Sequence, residues 1–451
     1  MEKINRKFVG FICLVSALGG LLFGYDWVVI GGAKPFYEVY FGIADNPVMQ
    51  GLAMSIAIAG CLLGAMTGGW FADKYGRKKL LIISAVIFLL SAYATGAVGT
   101  FDLFLAARFL GGIAIGIASG LSPMYIAEIS PASVRGRLVS VNQLTIVLGI
   151  LGAQIANMLI AEPMPAGITV PAIDSWNCQM GWRWMFWGEA FPAAAFMILV
   201  FFIPESPRWL SLKGDTSSAL GVLKKIGGSD YAMAEMAEAE CMMKDKQDGG
   251  GLRTLFSKKY AKLLILGVFI AVFQQWCGTN VIFNYAQEIF ADAGYDLGDM
   301  LFNIVLTGIT NVVFTFVAIF TVDKIGRRIL MLVGAGGLAA IYLILGSCYL
   351  MEVKGVFMIV LVVAAIACYA MTLGPVTWVL IAELFPDKVR AVAVSVCTFA
   401  LWTGCLTLTY SFPLLNASLG SYGTFWIYSA ICFIGLGYFL KSLPETKGKR
   451  I

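Results

Sequence analysis

The sequence contains no histidine, and charged residues make up only 13% of its 451 positions. Soluble domains carry about a quarter charged residues, so this composition excludes an ordinary soluble protein. Without histidine, a group that exchanges protons inside an apolar interior must be a carboxylate. The chain also lacks a metal-ligand cluster and a GxSxG motif. These absences argue against a membrane enzyme and predict no bound metal or other cofactor.

The positions of the cysteines do not suggest disulfide bonds. Nearly all of the ten cysteines fall inside apolar runs, and only Cys178 is expected on the outer side of the membrane. We therefore expect no disulfide framework. A cleavable signal peptide is also not expected, because the apolar run at 8–30 is too long for one, and the first helix should serve as its own uncleaved signal.

Long hydrophobic runs dominate the sequence. Hydrophobic residues make up 59% of the chain, and a membrane-crossing helix needs about 20 of them in a row. Twelve such runs predict an all-α membrane protein with six spans on each side of a polar stretch at 204–260. The runs lie near residues 10–30, 50–72, 80–99, 102–125, 138–161, 184–203, 261–288, 300–321, 329–350, 356–382, 391–414 and 421–441.

Basic residues occupy alternate loops. Four of the intervening loops, near 96–101, 162–181, 289–299 and 415–420, contain no Lys or Arg. By the positive-inside rule, both termini and the polar stretch are expected in the cytoplasm. The basic residues are Lys74, Arg77, Lys78 and Lys79 after span 2, Arg135 and Arg137 after span 4, Lys324, Arg327 and Arg328 after span 8, and Lys388 and Arg390 after span 10.

Three motifs recur at nearly one offset. DKYGRK at 73–78 returns as DKIGRR at 323–328, IAEISP at 126–131 as IAELFP at 381–386, and PES at 204–206 as PET at 444–446. This duplication predicts two pseudo-symmetric six-helix bundles, residues 1–203 and 261–451. Between them, the linker 204–260 is predicted to hold short amphipathic helices at 215–225 and 231–245, as a latch or equally as a passive tether.

Span 7 carries amides at membrane depth. At about 100° per residue, Gln274, Asn280, Asn284 and Tyr285 fall within about 140° of one another, and Gln275 lies about 80° further round. Lipid offers such groups no partner. Bonding to neighbouring helices is one role, but this many amides beside a helix-loosening glycine favour a site for a neutral polyol, whose hydroxyls match their donors and acceptors.

Asp26 is the most telling single residue. It follows about sixteen mostly apolar residues of span 1, where an ionisable group costs at least about 2.5–3.5 kcal/mol. Arg108, early in span 4, is its expected partner. A pair that forms when Asp26 is ionised and separates on protonation would be a proton switch, whereas a helix cap at the outer interface is the structural alternative. Glu189, in span 6, is expected instead to neutralise an arginine on the cytoplasmic side.

The recurring charged motifs resemble gates at the cytoplasmic ends of the spans. Opposite charges there can pair in one conformation and separate in another, while basic loops also fix topology. The candidate gate residues are Asp73, Arg77, Glu128, Arg135, Glu189, Asp323, Arg327, Glu383 and Arg390.

Two tryptophans, Trp378 and Trp402, lie within spans, although tryptophan usually lies at the membrane interface. Stacking on a sugar ring is one reason for that depth. Gln143 in span 5 and Asn311 in span 8 add further amides.

These motifs together resemble the sugar porter family of the major facilitator superfamily. The matching segments are Gly69 with DKYGRK at 73–78, RFLGG at 108–112, PESPRW at 204–209, Gln274-Gln275 with Asn280, Asp323 with Gly326-Arg327-Arg328, and PET at 444–446. The resemblance implies the major facilitator fold and sugar contacts from Gln143, Gln274, Gln275, Asn280, Tyr285, Asn311, Trp378 and Trp402.

The resemblance also implies that Asp26 is the proton carrier, because facilitators of the family have asparagine there. Two departures leave the sugar open between pentose and hexose: Asn284 stands where the first of two tyrosines is usual, and Ile150 where xylose symporters have glutamine. The expected function is proton-coupled import of D-xylose or a similar monosaccharide, by a monomer in a bacterial inner membrane without nucleic-acid partners. A proton-independent uniporter or a sugar sensor is the alternative.

Overall fold

The computed structural model describes residues 4–164, 171–245 and 252–446, and these form helices without any strand. The first six-span set comprises α1 Arg6–Phe41, α2 Pro47–Tyr75, α3 Arg77–Ala97, α4 Phe101–Ile129, α5 Arg135–Ile160, α6 Trp182–Trp187 and α7 Ala190–Leu199. The linker forms α8 Pro207–Leu212, α9 Thr216–Asp245 and α10 Leu252–Leu255. The second set comprises α11 Lys258–Trp276, α12 Thr279–Asn284, α13 Ala286–Asp292, α14 Leu297–Ile325, α15 Arg327–Leu350, α16 Val356–Met371, α17 Leu373–Glu383 and α18 Asp387–Ser442.

Eleven stretches of the described chain are long and apolar enough to cross a membrane, and the last of them covers two crossings. This stretch, Val392–Ser442, has 51 residues and would reach about 77 Å, more than twice the apolar thickness of a bilayer. Gly420, at φ +68° and ψ 174°, breaks the helix where the chain must turn back. The twelve spans expected from the sequence are therefore present.

An even number of crossings brings both ends of the chain to one side. We call the side that holds Arg6 and Ser442 the terminal face, and the side that holds Phe41 and Gly420 the distal face. Helices before residue 204 are the first half, and those from residue 258 on are the second half.

The repeated motifs meet in the same way in both halves. Glu205, of the PES motif, accepts hydrogen bonds from the amides of Arg77 and Lys78, at 2.9 and 3.1 Å, where α3 begins. Glu445, of the PET motif, accepts from the amides of Arg327 and Arg328, at 3.0 and 3.1 Å, where α15 begins. A carboxylate satisfies the free N–H groups at a helix start and suits its positive dipole end. The sequence repeat is thus a structural repeat.

Glycines allow the tightest packing of the first half. A Cβ on Gly112 of α4 would collide with the backbone of Ala57 on α2, and one on Gly60 of α2 would collide with the backbone of Phe109 on α4. Small residues at such contacts let two membrane helices approach closely, and dispersion then holds them together. This packing fixes α4, and with it Arg108, in the middle of the first half.

The two halves meet through α2 against α18, α5 against α14, and α1 against α12 and α13. The linker packs beneath the first half, where the backbone amide of Asn5 donates to the carbonyl of Ile226 at 2.8 Å. Helices were expected at 215–225 and 231–245, and this stretch forms α9, which is bent at Gly228, where φ is +88°.

Candidate functional site

A break in span 7 gathers the amides predicted from the sequence. α11 ends at Trp276, Gly278 adopts φ +88°, and α12 begins at Thr279. Glycine takes this left-handed conformation without the steric cost that other residues bear. The break brings Asn280 back toward the last turn of α11, so that residues on either side of it can share hydrogen bonds.

The result is a continuous chain of neutral hydrogen bonds. Asn280 donates through its side-chain amide to Gln275, Gln275 donates to Gln274 at 2.6 Å, and Gln274 donates to the hydroxyl of Tyr369 on α16. Gln274 and Gln275 are 6% and 5% exposed. Each amide still has donor or acceptor capacity beyond the bonds formed. The chain therefore offers a set of oriented, uncharged groups for a hydroxylated molecule.

The other predicted contacts lie in different settings. Asn311 on α14 is buried, Gln143 on α5 is exposed, and Trp378 on α17 is 42% exposed. Tyr285 is fully buried, and its hydroxyl donates to the carbonyl of Thr409 at 2.6 Å. That bond directs the Tyr285 hydroxyl to α18, away from the amide chain.

Trp402 is buried in an aromatic cluster that joins the two halves. Its ring lies 6.0 Å from Phe23 and 5.9 Å from Trp27, both on α1, while Phe23 and Trp27 are 5.9 Å apart. Edge-to-face and tilted arrangements at these distances are favourable for aromatic rings. One Trp402 face is thus covered by the first half in this conformation.

A buried charged cluster lies in the middle of the first half. Arg108 forms an ion pair with the carboxylate of Asp26 and also donates to the Asp26 carbonyl at 3.3 Å, and both side chains are 2–3% exposed. Asp26 Oδ2 and Glu189 Oε1 have no hydrogen-bond partner among the described residues. Glu189, 2% exposed, interacts electrostatically with both Asp26 and Arg108.

The expectation for Glu189 was therefore wrong. It does not neutralise an arginine at the terminal face but joins Asp26 and Arg108. The reason is the direction of span 6, which enters from the distal face and ends near Phe202. Glu189 lies 13 residues before that end, about 20 Å away at 1.5 Å per residue, and so at membrane depth.

Asp26 also reaches the boundary between the halves. A small cavity is lined by Asp26, Trp27 and Arg108 from the first half and by Asn284 from the second. The Oδ1 atom of Asn284 has no hydrogen-bond partner in the part of the chain that the structure describes. The Asp26–Arg108 pair of the first half and Asn284, at the end of α12 in the second half, thus face one shared space.

The gate candidates pair within each half. Arg77 lies 3.0 Å from Asp73 and 3.0 Å from Glu128, and Arg327 lies 3.1 Å from Glu383. Glu128 thus pairs with Arg77, and it also accepts a hydrogen bond from Ser206 at 2.5 Å.

The remaining gate candidates contact backbone carbonyls or have side chains outside the described residues. Arg135 donates to the carbonyl of Ser130 at 3.3 Å, and Arg390 donates to that of Phe385 at 3.1 Å. The side chain of Asp323 lies outside the described residues.

Several polar residues of this region were missed from the sequence. Tyr369 anchors the amide chain. α5 carries a buried amide at Gln154, 2% exposed, and neither of its polar atoms has a hydrogen-bond partner within residues 4–164, 171–245 and 252–446. Gln154 could have been found from the sequence, because it lies eleven residues after Gln143 and so on the same helix face. Tyr369 gave no such signal, since one tyrosine in a membrane span is common.

Comparison with known proteins gives the class of the chain. The sequence is 34% identical to the D-xylose-proton symporter of Escherichia coli strain K12, covering 100% of this chain and 95% of that protein. It is 34% identical to the arabinose-proton symporter of Bacillus subtilis, covering 98% and 94%. The inward open conformation of the xylose transporter XylE from E. coli superposes with a TM-score of 0.87 at 33% identity, covering 98% of each chain.

The fold is thus that of a major facilitator transporter, with twelve membrane helices in two pseudo-symmetric six-helix bundles. The model of the family described as "Sugar (and other) transporter" matches residues 12–451. The chain belongs to this family and is a multi-pass membrane transporter of sugars, not an enzyme.

Proposed function

We propose that this protein is a proton-coupled monosaccharide importer that works by alternating access. The observation that carries the proposal is the buried cluster of Asp26, Arg108 and Glu189, which lies apart from the neutral amide chain, while Asp26 and Arg108 share a cavity with Asn284 of the same broken span. One part of the molecule can hold a proton, and the other can hold a sugar.

The charge of the cluster supports proton binding. Two carboxylates, Asp26 and Glu189, share one guanidinium, so the fully ionised cluster would carry one uncompensated negative charge. Burying such a charge is costly, and two acids close together commonly retain one proton between them. Each acid keeps one oxygen without a hydrogen-bond partner among the residues that the structure describes, and that proton can bind there. A second proton, on Asp26, would release Arg108 and so change the packing of α1 against α4.

The amide chain supports a neutral, hydroxylated substrate. Gln274, Gln275 and Asn280 supply donors and acceptors but no charge, so an ionised substrate would have no counter-ion among them. The relatives named above are symporters of pentoses, and the galactose-proton symporter of E. coli strain K12 is also 34% identical. We therefore propose a monosaccharide, with D-xylose the first candidate.

The movement follows from the contacts between the halves. We propose that residues 1–203 and 261–451 rock as two domains about the cavity, with 204–260 as the cytoplasmic linker and the terminal face toward the cytoplasm. The likeness is higher to the two inward open XylE conformations, at TM-scores of 0.86 and 0.87, than to XylE bound to 6-bromo-6-deoxy-D-glucose, at 0.81. This difference supports an inward-facing state here, with the distal face closed.

The test compares uphill uptake with exchange in proteoliposomes. With an acid exterior imposed, the wild-type protein should accumulate labelled xylose above the outside concentration and alkalinise the medium. Asp26→Asn removes the proton and keeps the size of the side chain, so it should abolish accumulation while sugar exchange across equal concentrations continues. Asp102→Asn, at an exposed acid where α4 begins, is the matched control and should accumulate normally.

The outcomes separate the candidates. Accumulation that survives in Asp26→Asn would remove Asp26 as the proton carrier. Wild-type uptake that never exceeds the outside concentration and leaves the medium pH unchanged would instead favour the uniporter. A panel of xylose, arabinose, glucose and galactose competing for binding, read by tryptophan fluorescence, would assign the preferred sugar.

A further inference from the structure

A second buried ionic cluster lies between the halves near the distal face. Lys34 of α1 is 1% exposed and lies 2.8 Å from Glu38, one turn further along α1. It also lies 2.5 Å from Glu288 of α13, in the second half. We call Lys34, Glu38 and Glu288 the distal cluster. Unlike the pairs of Arg77, Arg108 and Arg327, this ion pair joins one half to the other.

The contact exists only while the distal face is closed. α1 and α13 belong to different halves, so a movement that opens the distal face must separate Glu288 from Lys34. The pair of Lys34 and Glu38 stays intact, because both residues are on one helix at i and i+4. Opening therefore leaves a neutral pair on α1 and an isolated carboxylate on α13, next to water.

Closure creates a charge imbalance. Bringing Glu288 to the Lys34–Glu38 pair places two negative charges around one positive charge in a buried site, where an uncompensated charge is costly. The other groups facing the cluster do not correct this. Tyr37 on α1 and the amide of Gln50 on α2 are neutral, the ring of Tyr285 lies 5.7 Å from Lys34 Nζ, and Asp292, one turn beyond Glu288, adds negative charge.

Glu288 has an oxygen that can correct the imbalance. Oε2 of Glu288 has no hydrogen-bond partner among the described residues, while its other oxygen binds Lys34. The Glu288 side chain is 22% exposed but Oε2 itself is buried in this conformation, so distal water must deliver the proton before closure is complete. A proton bound at Oε2 makes the cluster neutral without disturbing the bond to Lys34.

We propose that the distal cluster is a second proton-binding site, which fills from the distal side as the distal face closes. The proton forms an O–H bond at Glu288, and it returns to distal water when the halves separate and Glu288 ionises again. The inference rests on the proposed alternating access. It makes closure of the distal face more favourable as the distal pH falls, independently of the proton carried at Asp26.

The test measures closure against pH with the first proton site removed. Full-length protein in lipid nanodiscs carries spin labels, attached through noncanonical amino acids, at Asp102 and Gly298, which are exposed on the distal sides of the two halves. Distance distributions between the labels give the ratio of closed to open protein from pH 5 to 8. All measurements are made in the Asp26→Asn background, so that Asp26 cannot contribute.

Uptake of one proton on closure changes that ratio by up to tenfold per pH unit. We expect this slope in Asp26→Asn, and we expect it to vanish in Asp26→Asn with Glu288→Gln, which mimics the protonated acid and should stay closed at all pH values. Asp45→Asn, at an exposed acid beyond α1, should keep the slope. Lys34→Met should act in the opposite direction, favouring the open state at pH 8 and recovering closure only in acid.

The proposal is overturned if closure in Asp26→Asn does not depend on pH, or if the slope persists with Glu288→Gln. Neither result would bear on the accumulation test of Asp26, since that test reads sugar uptake in a protein with an intact distal cluster. A failed uptake test, in turn, leaves the closure measurement valid.

Discussion

The most direct test of the proposed sugar site is Gln275→Ala. Of the four hydrogen-bonding capacities of this amide, one donor is used by Gln274 and one acceptor lone pair by Asn280. One donor and one acceptor remain, enough for two bonds to sugar hydroxyls. At about 0.5–1.5 kcal/mol net for each neutral bond, their loss costs about 1–3 kcal/mol. The dissociation constant for xylose should therefore rise about 5- to 150-fold.

Isothermal titration calorimetry on purified protein measures this change directly. The matched control is Gln179→Ala, which removes an exposed amide bonded to the carbonyl of Ile173, far from the amide chain. This control should bind sugar as the wild type does. Affinity that stays within twofold in a Gln275→Ala protein with an unchanged melting temperature would show that the amide chain only joins helices, which is the alternative role of membrane amides.

Two further changes test the packing and one side-chain assignment. Gly112→Val puts side-chain atoms against the backbone of Ala57, and overpacking of about 1–3 kcal/mol should lower the melting temperature measured by differential scanning fluorimetry. Gly120→Ala is the control, because a Cβ there would have nothing within 4 Å, and its melting temperature should match that of the wild type. Equal melting temperatures for the two variants would contradict the packing argument. Tyr285→Phe should leave sugar affinity within twofold, because its hydroxyl is already bonded to Thr409, whereas a loss of tenfold or more would show that Tyr285 turns toward the sugar in another state.

The architecture could be predicted from the sequence because its signals are local. Apolar length defines each span, basic residues alternate between loops, and the duplicated motifs reveal the two halves; the twelve helices and the family are confirmed. One helix boundary shows the limit of such signals. The turn at Gly420 lies inside a stretch of continuous helical hydrogen bonding, where only the glycine indicates the change of direction.

The partners of single charged residues could not be predicted from the sequence in the same way. Glu189 was placed at the wrong face, because its partners Asp26 and Arg108 come from spans 1 and 4 and only packing brings them together. Lys34 and Glu38 were not singled out, since the sequence shows an i, i+4 pair near a helix end, which is ordinary on its own. Their importance depends on Glu288, 250 residues further on, and that contact belongs to one conformation.

The positions of the two polar systems explain how coupling can arise without direct contact. The acids lie in the first half and the amide chain in the second, yet Asp26 and Asn284 line one cavity, and Trp27, next to Asp26, lies against Trp402. A change of charge at Asp26 therefore alters the surface that the first half presents to the second. If protonation favours the sugar-binding arrangement of that boundary, sugar must favour protonation by the same factor. Coupling then resides in the contact between the halves, where both ligands bias one movement.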